Sequence, residues 1–147
     1  MSMFPHTVTV YNSVSPATID GASKLYVTIL RGVLLQASKG ANVRESGLEG
    51  ADAVNLYIPF GAEAVDGTTG KPKAYTGPQA FYSAADKSGV WTLSVNGNGG
   101  NTFFIKGEFV TDNETVALAH DDCYNLTKVD MMDYGSPDMQ HWECGGK

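Results

Sequence analysis

Apolar and polar residues alternate with a period of two in several stretches of the chain, as expected for β-strands with one buried face. The pattern holds over residues 7–11 and over Val54–Phe60, where Pro59 marks a sheet edge or the end of a strand. The stretch 25–38 fits either a helical stripe or a strand. Its β-branched residues and its interior glycine favour a strand with a bulge or bend at Arg31–Gly32. These patterns predict three strands.

The second half of the chain carries the same alternation. Residues 91–95 and 103–109 alternate on either side of the glycine-rich stretch 96–101, which predicts a β-hairpin with a long turn. Two further strands are predicted over Tyr124–Met131 and Met139–Cys144. The hairpin and these two strands bring the predicted count to about seven.

Two short segments have the signals of helix starts instead. A proline opens the segment Pro78–Ala85, and proline is favoured in the first turn of a helix. Thr111–Glu114 has the spacing of a capping box and predicts a helix over Thr115–Ala119. Together the elements predict one mainly β domain over residues 1–147, a small barrel or sandwich with one or two short helices.

Two polar, glycine-rich stretches between the predicted strands, 39–52 and 61–77, are interpreted as long loops. Loops longer than about 12 residues are uncommon in a small domain and usually serve a function. The stretch 134–147 is interpreted as an extended carboxy-terminal segment. These three segments are the expected places for contacts with other molecules.

Composition excludes several classes of protein. Apolar residues make up 42% of the 147 residues and charged residues 18%, so the chain is expected to fold as one globular domain. A net charge of −6 with scattered lysines argues against general nucleic-acid binding. The amino terminus lacks the pattern of a signal peptide, and no apolar run approaches the length of a membrane span. Cys123 and Cys144 are therefore expected to remain free thiols in a reducing compartment.

Two histidines and two cysteines, a ligand set that zinc accepts, occur late in the chain at His120, Cys123, His141 and Cys144. No Cys-x-x-Cys or His-x-x-His pair is present. Residues three apart on a strand face opposite sides, so His141 and Cys144 are not expected to converge. No metal and no cofactor are predicted.

Catalysis is also not predicted. The chain has no Gly-x-Ser-x-Gly motif, and its glycine-rich stretch lies between two predicted strands, where no helix could present its amino terminus to a phosphate. Carboxylates are frequent but fit solvated loops. Exposed aromatic residues such as Tyr75 and Trp142 could stack on sugar rings, so a carbohydrate-binding module remains an alternative.

The ending YGSPDMQHWECGGK, with GVWTLSV, FFIKGEF and ESGLEGADAVNLYIPF before it, resembles a family of small proteins of tailed phages and prophages of Gram-positive gut bacteria. Their genes lie among those for head assembly and head–tail joining. The matching positions at the end are Gly135, Ser136, Met139, His141, Trp142, Gly145, Gly146 and Lys147. The layout is also similar to that of head-completion, or stopper, proteins, which are small β-barrels with long loops that form a ring in the virion neck.

The resemblance implies a structural, non-enzymatic component of the virion, assembled in the host cytoplasm without a membrane. Its expected partners are further copies of itself in a ring, the portal or adaptor protein, and tail proteins, while the genome passes through without specific binding. A tail terminator, a minor capsid protein or a decoration protein is the alternative within the virion.

This interpretation assigns roles to the late residues and to the second loop. Trp142 is expected to be an apolar anchor on a short strand, Cys144 a packing residue, and Gly145–Lys147 a flexible tail. The candidate assembly contacts are Asp66, Lys71, Lys73, Tyr75, Met139, His141, Trp142 and Lys147.

Overall fold

The computed structural model describes residues 5–14, 24–37, 54–95, 100–136 and 139–147. The predicted loop 39–52 lies outside these residues. The elements are β1 (His6–Val14), β2 (Lys24–Ala37), β3 (Val54–Pro59), β4 (Glu63–Asp66), β5 (Ala74–Tyr75), α1 (Pro78–Ser83), β6 (Val90–Trp91), β7 (Gly100–Lys106), α2 (Glu114–Leu118), β8 (Cys123–Met132) and β9 (His141–Gly146).

The antiparallel strand pairings run in a ring. From β1 they pass through β7, β8, β9, β3 and β2, and β2 pairs with β1 again, while β4 adds to β2. Two strands divide their length between neighbours: β2 pairs with β1 and then with β3 from Leu34, and β8 pairs with β7 through Asn125 and then with β9. The predicted mainly β class is confirmed, as a sandwich whose two halves share β2 and β8.

The interior of the ring holds the main apolar core. Alternate residues of β1, β2, β3, β7 and β9 point inward and are fully or almost fully buried, among them Val8, Leu30, Leu56, Phe104 and Trp142. Burying a side chain of this kind contributes about 1.5–3 kcal/mol. Because each strand contributes every second residue, the alternation seen in the sequence is the direct cause of this core.

A second, smaller core covers the outer side of β1 and β7. Tyr11 and Phe103 stack there with ring centroids 4.9 Å apart, and Ala117 of α2 is buried against them. The Tyr11 hydroxyl donates a hydrogen bond to the Phe109 carbonyl oxygen. Both faces of β1 are therefore buried, which explains why its residues are buried without a break from Val8 to Ser13.

The predicted bulge in β2 is confirmed. The register of β1 against β2 passes from His6↔Val33 to Thr7↔Arg31, which leaves Gly32 unpaired. The φ angle of Gly32 is 84°, a conformation that side chains with a Cβ atom rarely adopt. Just beyond this point β2 exchanges β1 for β3, so the bulge lies where the strand turns from one half of the sandwich to the other.

Both predicted helices are present. Pro78 opens α1, as expected. Helix α2 begins one residue earlier than predicted, and its cap is Asn113, whose side-chain oxygen accepts a hydrogen bond from the backbone N–H of Val116. Thr111 instead accepts a bond from the backbone N–H of Asn113. The capping-box spacing located the helix but not its cap.

The segment 61–77 is not the predicted long loop. It contains β4, paired with β2, and β5, which pairs in parallel with β6. A tight turn follows β4, and Lys73 continues the pairing by donating its backbone N–H to the Ala64 carbonyl oxygen. The proline and glycine residues of this segment predicted a loop, although two short strands lie within it.

The predicted hairpin of 91–95 with 103–109 is also wrong as a pairing. β6 pairs with β5, and β7 pairs with β1 and β8. The two arms meet at one point, where Thr102 donates its N–H to the Ser94 carbonyl oxygen. Residues 91–94 are buried on both sides, because Trp91 and Leu93 enter the core while the buried Asn12 side chain bonds to the backbone of Thr92.

Candidate assembly surface

Lys73, a predicted contact residue, is part of the interior. Its side chain is 1% exposed, and its ammonium group donates to the Val27 carbonyl oxygen at 3.2 Å and to Thr28 Oγ1 at 3.1 Å. The Asp66 carboxylate lies 3.6 Å away. Burial lowers the pKa of Lys73, and the charge of Asp66 opposes this shift. Lys73 therefore stabilises the turn after β4 and is not available to a partner.

Asp66, its ionic partner, holds that turn together. One carboxylate oxygen accepts bonds from the Thr68 hydroxyl and from the backbone N–H groups of Thr68 and Thr69. Burial alone would raise the pKa of Asp66, but these bonds and the charge of Lys73 outweigh it and lower the pKa to about 2. Of the predicted contacts in this segment, Lys71 alone is exposed.

Tyr75 and Trp142 belong to an aromatic cluster inside the ring. The Trp142 ring lies 4.4 Å from the rings of Phe60 and Tyr75 and 5.7 Å from Trp91, measured between centroids. Trp142 is 5% exposed, and its Nε1 has no hydrogen-bond partner among the described residues. Rings at these distances are in direct contact and leave no space for a sugar or a cation between them. Trp142 is thus an anchor of the core.

The last residues of the chain are a central strand, and the prediction of a flexible tail is wrong. Gly145 and Gly146 pair with β3 on one side and with β8 on the other. Lys147 exchanges both backbone hydrogen bonds with Asn125, at 3.0 and 3.1 Å. The glycines suggested a tail, but Gly146 is buried because the Phe104 ring and the Val54 side chain fill the space where its own side chain would be.

Histidine and cysteine on this strand face opposite sides, as predicted. His141 is half-exposed, and its ring nitrogens lie 3.0 Å from the Met139 carbonyl oxygen and 3.2 Å from Glu143 Oε2. Cys144 is 2% exposed within the main core, which confirms its packing role, and burial raises the pKa of its thiol to about 12. Within the described residues, no three His, Cys, Asp or Glu side chains form a group that could hold a metal ion.

The three most exposed large apolar residues among the described residues lie near the end of β8 and on its connection to β9. Tyr134 is 74% exposed, Met139 66% and Met131 51%. We call these three residues the hairpin tip. Tyrosine and methionine are enriched at protein–protein interfaces, where they supply contact area with few rotatable bonds or with adaptable packing.

Hydrogen bonds fix the described backbone around the tip. Met139 donates its N–H to the Ser136 carbonyl oxygen at 2.8 Å, and the Gln140 side chain donates to the Gly135 carbonyl oxygen. Gln140 in turn accepts a bond from the N–H of Phe60, at the end of β3. The tip therefore projects from a backbone that is tied to the sheet, which lowers the entropy lost when a partner binds.

Two depressions also lie on the described surface. A groove of about 620 Å³ runs between the start of β2, the turn after β4 and residues 110–112, and its walls carry Lys24, Tyr26, Asp66 and Asp112. The Asp66 carboxylate already accepts hydrogen bonds from Thr68 and Thr69 and forms an ion pair with Lys73, so it is not a free acid or base. A shallower depression of about 240 Å³ is lined by Leu34, Gln36, Tyr57 and His141.

Of the eight predicted contact residues, the structure therefore leaves four side chains on the surface, Lys71, Met139, His141 and Lys147, of which only Met139 is a large exposed apolar residue. Sequence reasoning missed Tyr134 and Met131. The signal for Tyr134 was the turn sequence Gly-Ser-Pro directly after it, because turns and loops lie on the surface of a protein.

The chain matches a family model over residues 3–147, and that model is described as a family of unknown function, DUF6751. No curated protein and no solved structure matches the chain. In the described residues, no helix has the length and apolar character needed to cross a bilayer.

Proposed function

Because the chain belongs to the DUF6751 family of unknown function, we propose its role from its own residues: a structural subunit of a tailed-phage virion, a head–tail connector of the head-completion type. The observation that carries the proposal is the hairpin tip, an exposed apolar group on a backbone fixed to the sheet. The resemblance of the chain's ending to small phage proteins of the head–tail joining genes supports the same role.

A ring of identical subunits requires two different, complementary surface patches on each copy. The hairpin tip is one patch of the required kind. A distinct concave surface, the groove beside the start of β2, offers apolar side chains of Leu25, Val27 and Val110 together with Lys24 at its margin. The apolar tip of one copy and the partly apolar groove of the next are patches of the two different kinds that a ring needs.

The charge of the chain suits a neck through which DNA passes. At a net charge of −6, the subunit repels the phosphate backbone over distances of about 8–10 Å at physiological salt. A ring of such subunits would let DNA slide past without a specific contact. The buried Lys73 cannot counter this repulsion at the surface, because its charge is neutralised by Asp66.

The test is binding of the purified protein to heads and tails of the phage or prophage that encodes it, measured by co-sedimentation. We expect binding to at least one of them, and we expect Tyr134→Ser with Met139→Ser to weaken it at least about tenfold, as is typical for loss of two interface anchors. Val116→Ser with Leu118→Ser is the matched control, because these residues are 46% and 43% exposed and lie on α2, outside the hairpin tip.

Circular dichroism of each variant checks that the fold is unchanged. Wild-type protein that binds neither heads nor tails would overturn the proposal, and equal binding by the tip and α2 variants would overturn the role of the tip. Where bound protein lies in the particle separates a neck ring from the alternatives, since a tail terminator lies at the tail end and a decoration protein covers the capsid.

A further inference from the structure

Strand β8 has one side that is only partly paired. Its first residues, Cys123–Asn125, pair with β7, and from Leu126 onward β8 pairs with β9 and with no other described strand. A bulge after Leu126 separates the two parts. On the β7 side, residues 126–132 form no backbone pairing with any other part of the chain that the structure describes.

The register identifies the backbone groups that point to this open side. Phe60 donates to the carbonyl oxygen of Gln140, so the even-numbered residues of the last strand direct their backbone groups toward β3. Lys147 bonds to Asn125, so the odd-numbered residues direct theirs toward β8. In an antiparallel pair, residues opposite one another are either both bonded or both turned away.

Val129 lies opposite Cys144, and Met131 lies opposite Trp142. Both β8 residues therefore turn their N–H and C=O groups away from β9, toward the open side. Among the residues that the structure describes, this stretch of β8 is an unpaired sheet edge, of the kind that accepts an additional strand. Met131 is 51% exposed although it lies opposite the buried Trp142, which places it at the margin of the open side.

The charges beside this edge suit a second copy of the same edge. Lys128 and Asp130 lie on the outward face, with their charged atoms 3.3 Å apart and both side chains largely exposed. In an antiparallel pairing centred on Val129, each Lys128 would lie opposite Asp130 of the second copy. A pairing centred on Asp130 would instead place two carboxylates side by side, which is unfavourable.

We infer that β8 pairs antiparallel with β8 of a second copy, with Val129 opposite Val129 of that copy, so that the chain forms a two-fold dimer. In this register Val129 exchanges two backbone hydrogen bonds with its counterpart, and two Lys128–Asp130 pairs flank them. The apolar side chains of Val129 and Met131 are covered at the same time. The inference concerns the free subunit and does not depend on the virion role.

Disulfide trapping tests the register. Positions 128 and 130 of the two copies would form a non-hydrogen-bonded pair with Cα atoms about 4.5 Å apart, within disulfide range. A mixture of Lys128→Cys and Asp130→Cys proteins should therefore give a mixed dimer on mild oxidation, whereas either variant alone should not. Wild-type protein controls for the native thiols. Cross-linking of Asp130→Cys with itself would overturn the register.

Sedimentation over a range of protein concentrations tests the dimer. Val129→Pro removes an N–H that points to the open side and leaves the ladder with β9 intact, so this variant should be monomeric. Val129→Ala is the control that keeps the N–H. Lys128→Asp should weaken dimerisation about tenfold, and adding Asp130→Lys should restore it.

Wild-type protein that is monomeric at all concentrations, with no mixed disulfide, would overturn the inference. That result leaves the connector proposal standing, because binding to heads and tails is measured with the hairpin-tip variants. Conversely, a protein that forms the dimer but binds neither heads nor tails would support the dimer and overturn the connector proposal.

Discussion

At the scale of single residues, Gly145 and Gly146 differ in whether the structure has space for a side chain at their position. A Cβ atom added at Gly146 would lie 2.8 Å from Val54 Cγ2 and 2.9 Å from Phe104 Cζ. A Cβ atom at the neighbouring Gly145 would meet Thr127 Oγ1 at 3.3 Å, on the surface side of the strand. The two positions therefore form a matched pair in which only one faces the core.

We expect Gly146→Ala to lower the free energy of unfolding by about 1–3 kcal/mol, because the core must shift to admit a methyl group. Gly145→Ala should cost clearly less, since the Thr127 hydroxyl can rotate away. Urea unfolding followed by tryptophan fluorescence measures both. Equal losses for the two variants would contradict the assignment of Gly146 to the core.

The ion pair of Asp66 with Lys73 predicts a dependence of stability on pH. The pKa of Asp66 is lowered to about 2 from an ordinary value of 3.8, so its ionised form stabilises the folded state above about pH 4. This contribution is lost as the pH falls from about 4 to about 2. Asp66→Asn removes it, so the stability difference between wild type and this variant should shrink over that interval.

At neutral pH we expect Asp66→Asn to cost about 3 kcal/mol, because a buried ammonium group loses its partner. Lys73→Met is the matched variant: it replaces the ammonium group by an apolar one of similar volume and should cost less. Thermal unfolding at pH 7 compares them. A larger loss for Lys73→Met would show that the ammonium group itself, bonded to Val27 and Thr28, is the stabilising partner.

At the scale of elements, alternation located strands but not their partners. The predictions for 7–11, 25–38 and 54–60 match β1, β2 and β3, because alternate residues of each strand enter the ring. The predicted hairpin of 91–95 with 103–109 was wrong, since the alternation of these residues did not indicate which segments they pair with. Pairing between distant segments is decided by packing, which a local pattern does not contain.

The candidate site was predicted less well than the fold. Lys73 and Tyr75 were placed on a loop because prolines and glycines surround them, but two short strands and a buried ion pair occupy that segment. A buried lysine cannot be recognised without its partner. Trp142, the aromatic residue predicted as a contact, lies in the core, whereas Tyr134, which was not predicted as one, is exposed.

The bulge in β2 gives a prediction at this scale. Gly32 has φ 84° with no atom near its missing Cβ, so a substitution is limited by backbone strain and not by space. Gly32→Ala should cost about 1 kcal/mol or more, and Gly32→Asn should cost less, because asparagine tolerates this conformation. Gly61→Ala, which has the same open space without a positive φ, is the control in urea unfolding.

At the scale of the whole molecule, the ring of pairings depends on its last strand. β9 lies between β3 and β8, and without it the interior cluster around Trp142 would be open to water. Deleting Gly145–Lys147 should therefore abolish cooperative unfolding and the near-ultraviolet circular dichroism of the aromatic cluster. Lys147→Ala, which keeps the backbone bonds to Asn125, should behave like wild type.

The position of β9 also sets how the molecule bears load. Hydrogen bonds in antiparallel ladders lie perpendicular to the strands. A pull on the carboxyl end along β9 would therefore strain its ladders with β3 and β8 together in shear, and no single bond could break first to release the rest. A protein held through β9 would transmit tension into the whole sheet, whereas a strand at the margin of a sheet would separate one bond at a time.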